Sequence, residues 1–225
     1  MSNLYKRAFF GVVGLTLVMG LIIFLSAGTL LFWEGWFYLF VFAVCVTIIT
    51  VYFLQKDPAL VERRVNGGPT AEKEKSQIII QSFGGLFFIV LLVIPGIDQR
   101  FNWSQVPPVL VIVANILVLV GFMIVFWVFN ENSYTASTIA VEEALTVVTT
   151  GPYRWVRHPM YFGAVLMLIL TPLAMGSYWG LFCSIPLCIV IVVRLLDEER
   201  FLTQNLAGYK DYCLHTKYRL IPLIW

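Results

Sequence analysis

VPPVLVIVANILVLVGFMIVFWVF, residues 106–129, runs for 24 residues without one charged side chain. At about 1.5 Å per residue a helix of that length is roughly 36 Å long, enough to cross about 30 Å of hydrocarbon. A helix also satisfies its backbone N–H and C=O groups internally, which lipid demands. Residues 8–32, 33–54 and 78–97 read the same way. Hydrophobic residues make up 60% of the chain and charged ones only 12%, with a mean hydropathy of +0.85, values that exclude an ordinary water-soluble domain. The expected fold is all-α, a polytopic membrane protein. Its 225 residues leave no room for a separate soluble domain of ordinary size.

Two shorter apolar segments follow, 160–175 and 178–193, joined by Gly176 and Ser177. So tight a connection predicts a helical hairpin, bringing the expected hydrophobic helices to about six. Each arm is roughly 24 Å long, so the hairpin either borrows flanking residues to cross the bilayer or re-enters on one side. Lys6 and Arg7 precede an apolar run too long for the core of a signal peptide, which predicts a retained first span.

Fourteen of the fifteen lysines and arginines fall in the N-terminus, the segment after span two, the segment after span four and the C-terminal tail; Arg100 alone falls opposite. The positive-inside rule then predicts that both termini are cytoplasmic, as are loops 55–77 and 130–159. A net charge of +2, with scattered basic residues, argues against nucleic acid and for anionic membrane lipids as partners. Cys45, Cys183, Cys188 and Cys213 form no CxxC pair, so neither disulfides nor a metal site is expected.

The chain divides into N-terminal helices, 1–129, and a region of unusual chemistry, 130–225. Loop 55–77 reads as a surface helix ending at Asn66-Gly67-Gly68-Pro69 and held by anionic lipid, with an active-site role as the alternative. In GPYRWVRHPMYFG, residues 151–163, Pro159 suits the first turn of the hairpin and His158 stands at its start. His158 and Tyr161 share a helical face, as do Arg157 and Tyr161. Arg154, Trp155 and Arg157 fit a basic and aromatic belt at a span end, whereas His158 and Tyr161 fit a site. In VVRLLDEER, residues 192–200, Arg194 and Glu198 are four apart on one face and Glu199 points elsewhere. Three acidic residues at a helix C-terminus oppose its dipole, unless the helix continues or cations lie against them. The hairpin turn returns this end to the start, so one site gathers His158, Tyr161, Arg194 and Glu198.

TVVTTGPYRWVRHPMYFG (146–163), RLLDEERFL (194–202) and GYKDYCLHTKYRLIP (208–222), with NSYTAS (132–137) ahead of them, resemble the isoprenylcysteine carboxyl methyltransferase family of integral membrane methyltransferases. The resemblance covers about residues 130–225 and implies a methyltransferase catalytic region there, with S-adenosylmethionine bound without a Rossmann domain. It implies that Leu145, Thr146, Val147, Val148 and Tyr153 line the cofactor, with His158, Pro159, Met160 and Tyr161 continuing the wall. Glu198 would hold the cofactor's ammonium, Arg194 would face the methyl acceptor as the catalytic residue, and Tyr209, Tyr212 and Arg219 to Pro222 would close over the adenosine. EEAL, residues 142–145, departs from the family pattern and leaves Glu142 and Glu143 without a role.

Methyl transfer from a sulfonium is an in-line displacement that demands alignment above all. An ionised carboxylate acceptor needs no base, and Arg194 would orient it. The resemblance implies a lipophilic acceptor, most simply the carboxylate of an isoprenylcysteine-like molecule, which could enter sideways from the bilayer. A phospholipid amine or small thiol is the alternative; an amine would need a base such as His158 or Glu199. A transporter or noncatalytic subunit is more remote, because spans one to four carry no interior charges of the kind transporters use.

Overall fold

Long charge-free runs become helices in the computed structural model, which describes residues 2–67, 75–134 and 146–225. The helices are α1 (Ser2–Ala27), α2 (Trp33–Lys56), α3 (Pro58–Val65), α4 (Lys75–Phe101), α5 (Pro108–Glu131), α6 (Pro159–Ala174), α7 (Gly180–Asn205) and α8 (Tyr209–His215), with a 3-10 turn at Gly151–Arg154. Among the described residues there is no strand. Five helices, α1, α2, α4, α5 and α7, are long and apolar enough to cross a membrane, and α6 is a shorter apolar helix. The chain is a polytopic all-α protein, as the hydropathy predicts.

One boundary differs in a way that matters. The second hairpin arm, expected to end at 193, continues to Asn205 and spans 26 residues. Hydropathy reports where lipid ends, whereas a helix stops at a backbone breaker, and the next glycine is Gly208, in a left-handed conformation (φ 81°). The acidic run Asp197 to Glu199 is thus inside a helix, not at its C-terminus.

The hairpin traverses the whole bundle. At its tip Gly176 adopts φ +72°, a conformation that suits glycine, with Glu34 of α2's first turn against it. The buried Ser177 hydroxyl donates to Asp98 near the end of α4, and Asp98 also accepts from the backbone N–H and the hydroxyl of Ser104, each at 2.6 Å. The tip therefore meets both the α1–α2 and α4–α5 connections, at the end of the bundle away from the long loops. Asn115 of α5 adds a bond from its side-chain amide to the carbonyl of Ala174, satisfying an end group of α6 at 3.0 Å.

Helices α5 and α6 cross closely. A Cβ on Gly163 would sit 3.0 Å from the carbonyl oxygen of Gly121, and one on Gly121 would sit 2.4 Å from Met167 Cγ. Small residues let backbones approach this way where lipid offers no hydrophobic drive. Gly163→Val is expected to push the helices apart and cost about 2 kcal/mol, read as a lowered melting temperature in detergent; an unchanged melting temperature would refute the close packing.

The apolar core lies at the depth of Met19, Ile23, Phe32, Tyr38, Leu92 and Val118, and a second cluster of Ala8, Phe53, Leu60, Val128 and Phe129 lies toward the end bearing the loops. There α3 begins at Pro58, with the Asp57 carboxylate accepting from the Leu60 N–H at 3.1 Å. Arg7 bonds Asn66, and Arg63 bonds the Ser133 carbonyl, each at 2.5 Å. Loop 55–77 thus contains the expected surface helix; residues 68–74 lie outside the described residues. Arg100 stands at the opposite end, beside Gly28.

Candidate functional site

The start of α6 organises the site. Pro159 occupies the first turn and His158 is the N-cap residue. The strand of chain before it pairs with the C-terminal tail: Arg157 N–H donates to the Tyr218 carbonyl and His158 N–H to the Arg219 carbonyl, both at 2.9 Å. The His158 ring lies 5.7 Å from that of Tyr161. Tyr161 Oη donates to Glu198 Oε2 at 2.6 Å and accepts from Arg194 Nε at 3.1 Å. His158, Tyr161, Arg194 and Glu198 therefore stand together, on two helices that the turn at Gly176 folds side by side.

The acidic run of α7 fans out to three partners. Successive residues on a helix are rotated by about 100°, so each carboxylate faces a different neighbour. Asp197 accepts from Gln77 of α4, Glu198 from Tyr161 of α6, and Glu199 from the tail and the loop before α6. Glu199 is the hub: it takes Arg157 Nη1 at 2.7 Å and Arg219 Nε at 2.6 Å, with His158 Nε2 at 3.5 Å. The histidine contact is an ion-pair distance without hydrogen-bond alignment. Sequence reasoning left Glu199 without a partner, although three consecutive acids on one helix imply three directions.

Arg157 departs from the expected belt. Its side chain is only 12% exposed and also donates to the carbonyls of Thr216 and Lys217 at 2.9 Å. It straps the tail instead of snorkelling. Arg154 and Trp155, by contrast, are exposed.

The remaining residues fall into two groups. Leu145, Glu142 and Glu143 lie outside the described residues. Thr146, Val147 and Val148 form an irregular segment, and Val147 joins Tyr212, Asp211, Arg154 and Thr216 around an open cleft of about 510 Å³. Tyr153 Oη accepts from the Asn132 amide at 3.1 Å, and burial pushes its hydroxyl up to about 12. Tyr212 Oη donates to the Tyr153 carbonyl at 2.7 Å, fixing α8 to the 3-10 turn. Burial raises the Tyr212 and Tyr209 hydroxyls too. Tyr209 Oη is buried with no hydrogen-bond partner among the described residues, within the fields of Glu198 and Glu199. Among the described residues no cluster of side chains suits a metal ion.

Met160 and Tyr161 also line an apolar cavity of about 520 Å³ bounded by α1, α2, α3, α5 and α6. Val12, Phe53, Phe129 and Met167 line it, and the exposed Gly11 and Leu15 of α1 form part of its rim. The cavity accordingly opens on the side of the bundle. Its one strongly polar end holds Tyr161 and Arg64 of α3. The Arg64 guanidinium lies over the Phe129 ring at 4.7 Å and 3.8 Å from Met160 Sδ. Loop 55–77 is expected to lie against anionic lipid, with an active-site role as the alternative; its Arg64 is turned inward, to the cavity.

Residues 109–208 match the family model described as phospholipid methyltransferase. Across 74 residues the chain is 30% identical to an uncharacterised protein of Bacillus subtilis (strain 168), YpbQ, over 32% of this chain and 44% of that protein. The chain thus matches less than half of that relative's length. The family match takes in α5, the turn into α6, the hairpin and the whole of α7, and it leaves out α1 to α4. Over residues 109–208 the chain is thus similar to the phospholipid methyltransferases, a family in the group of membrane methyltransferases related to isoprenylcysteine carboxyl methyltransferase.

Proposed function

We propose that this protein transfers a methyl group from S-adenosylmethionine to a lipophilic acceptor, most simply a carboxylate of the isoprenylcysteine kind. The observation that carries this reading is the meeting, on the Tyr161 hydroxyl, of the Arg194 guanidinium and the Glu198 carboxylate, between an apolar cavity and the loop-bearing end of the bundle. The orphaned Tyr209 hydroxyl fits the same cofactor, whose ribose and amino-acid groups offer partners for it. S-adenosylmethionine supplies an electrophilic methyl on a sulfonium. Glu198 would neutralise its ammonium, Tyr153, Tyr209 and Tyr212 would offer aromatic surface to its adenosine, and Thr146 to Val148 would cover it.

Arg194 and Tyr161 then fix the acceptor. Arginine presents two parallel donors to a carboxylate, which sets the angle of attack without removing a proton. The carboxylate arrives already ionised, so the site needs no base. Both termini and the site would face the cytoplasm, a reading supported by the fourteen of fifteen basic residues on that side.

A phospholipid amine is the second reading, favoured by the description of the matched family. It needs a proton acceptor. Glu199 is poorly suited, being held between Arg157 and Arg219, which leaves His158 for that task.

Purified protein given methyl-labelled S-adenosylmethionine with N-acetyl-S-farnesylcysteine, phosphatidylethanolamine or dodecanethiol in separate reactions tests both. Transfer to the farnesylcysteine is expected. Transfer to phosphatidylethanolamine alone would overturn the carboxylate reading, and absence of cofactor binding would overturn both. Glu198→Gln is expected to weaken S-adenosylmethionine at least about tenfold in a binding titration, since one charge-assisted contact is lost. Wild-type cofactor affinity in that variant would remove Glu198 from the site.

A further inference from the structure

Adjacent arginines of α3 serve different spaces. Arg64 lines the apolar cavity, and Arg63, about 100° round the helix, lines a separate cleft of about 440 Å³. Lys56, the last residue of α2, and Asn130, near the end of α5, stand in the same cleft, with Phe53 and Phe129 adding an apolar part. Its two cations have neutral partners. The Lys56 ammonium donates to Asn130 Oδ1, and to the Tyr52 hydroxyl at 3.3 Å. The Arg63 guanidinium donates to the Ser133 carbonyl at 2.5 Å and lies 5.4 Å from the centre of the Tyr134 ring. Its Nε is buried with no hydrogen-bond partner among the described residues. Asp57 also lines the cleft, but its carboxylate caps α3, accepting from the Leu60 N–H at 3.1 Å. Among the described residues neither cation forms an ion pair with a carboxylate. Lys56 complements the dipole at the end of α2, which explains its place in the sequence but not its convergence with Arg63. Neutral acceptors fix the direction of a charge without cancelling it, and two long side chains so held make a preorganised anion site.

The cleft's position selects the source of the anion. Helices α2 and α5, both long and apolar enough to cross a membrane, end at Lys56 and Glu131, so the cleft stands where hydrocarbon gives way to headgroups. Ile48, Tyr52 and Lys56 follow at four-residue spacing on one face of α2, and Ile48 and Tyr52 are exposed. An acyl chain lying along that face brings its phosphate to Lys56, an advantage that dissolved phosphate lacks. We infer that Lys56 and Arg63 form a specific site for the phosphate of an anionic membrane phospholipid, apart from the proposed methyl-transfer site. Scattered basic residues attract anionic lipid without choosing a place for it; a converged pair holds one headgroup and ties the ends of α2, α3 and α5 together.

Native mass spectrometry of the full chain in detergent, with equimolar phosphatidylglycerol and phosphatidylcholine, tests this. Wild type is expected to retain one phosphatidylglycerol over phosphatidylcholine by about tenfold. The double variant Lys56→Gln/Arg63→Gln is expected to lose that preference while keeping the helical circular dichroism of wild type. Each single variant is expected to lose part of it, so one folded variant suffices. Lys6→Gln/Lys210→Gln removes as many exposed charges elsewhere and is expected to keep the preference. Equal loss in the two double variants, or no preference in wild type, would overturn the site. Millimolar inorganic phosphate is expected to leave the bound lipid in place; its displacement would show a site for free phosphate and overturn the assignment to lipid.

Discussion

Arg194→Gln is expected to lower methyl transfer by at least about a hundredfold, the cost of misaligning two reacting groups by about an ångström. The dissociation constant for S-adenosylmethionine is expected to stay within about threefold of wild type. The asymmetry follows from geometry. Arg194 and Glu198 occupy one face of α7, yet they hold opposite sides of one hydroxyl: Arg194 Nε donates to Tyr161 Oη, and that oxygen donates onward to Glu198. Removing the guanidinium leaves the Tyr161–Glu198 bond, and hence the proposed cofactor side, intact. It takes away the planar donor that would set the acceptor's carboxylate. Arg194→Lys keeps charge without the fork, so partial recovery of rate is expected at a raised KM. Loss of cofactor binding in Arg194→Gln would show that Arg194 supports the cofactor side and would overturn its assignment to the acceptor.

The architecture was legible wherever one physical rule decided alone. Runs such as 106–129 became spans because lipid allows little else, and Gly176-Ser177 became a tight turn because two apolar arms leave no room for a longer one. The pairing of His158 and Tyr161 with Arg194 and Glu198 followed from helical spacing plus that turn. Misreadings arose where a distant segment decided. Arg154 and Arg157 are the same residue type three positions apart, and only the tail, folded back to offer the carbonyls of Thr216 and Lys217, makes the second a strap. Arg64 turned inward because α3 lies over the cavity, a fact of packing between segments far apart in sequence. The end of α7 was misplaced for a different reason: charged residues end a membrane crossing without ending a helix.

The Glu199 cluster couples these parts, and its disruption is the largest expected effect on stability. Glu199→Ala leaves Arg157, Arg219 and His158 facing one another without their shared carboxylate. Glu199 and Arg157 are nearly buried, while Arg219 is partly exposed, with its guanidinium 5.6 Å from the Trp225 ring. Breaking such a network by removing one side typically costs about 3 kcal/mol or more, because the remaining charges stay buried and unpaired. The damage is directional. Tail residues 216–219 are pinned to the loop before α6 by the Arg157 side chain and by two backbone bonds, and Glu199 holds Arg157 and Arg219 against α7. Without it the tail, and with it Tyr209 and Tyr212, should lift from the cofactor side before the spans unfold. Limited proteolysis is expected to cut Glu199→Ala near residues 216–219 while α1 to α7 stay protected, with S-adenosylmethionine affinity lost in parallel. Glu199→Gln, which keeps two acceptor lone pairs but no charge, should fall between the variant and wild type. Wild-type protection of the tail in Glu199→Ala would mean that the backbone pairing alone holds it, leaving the carboxylate no part in closing the site.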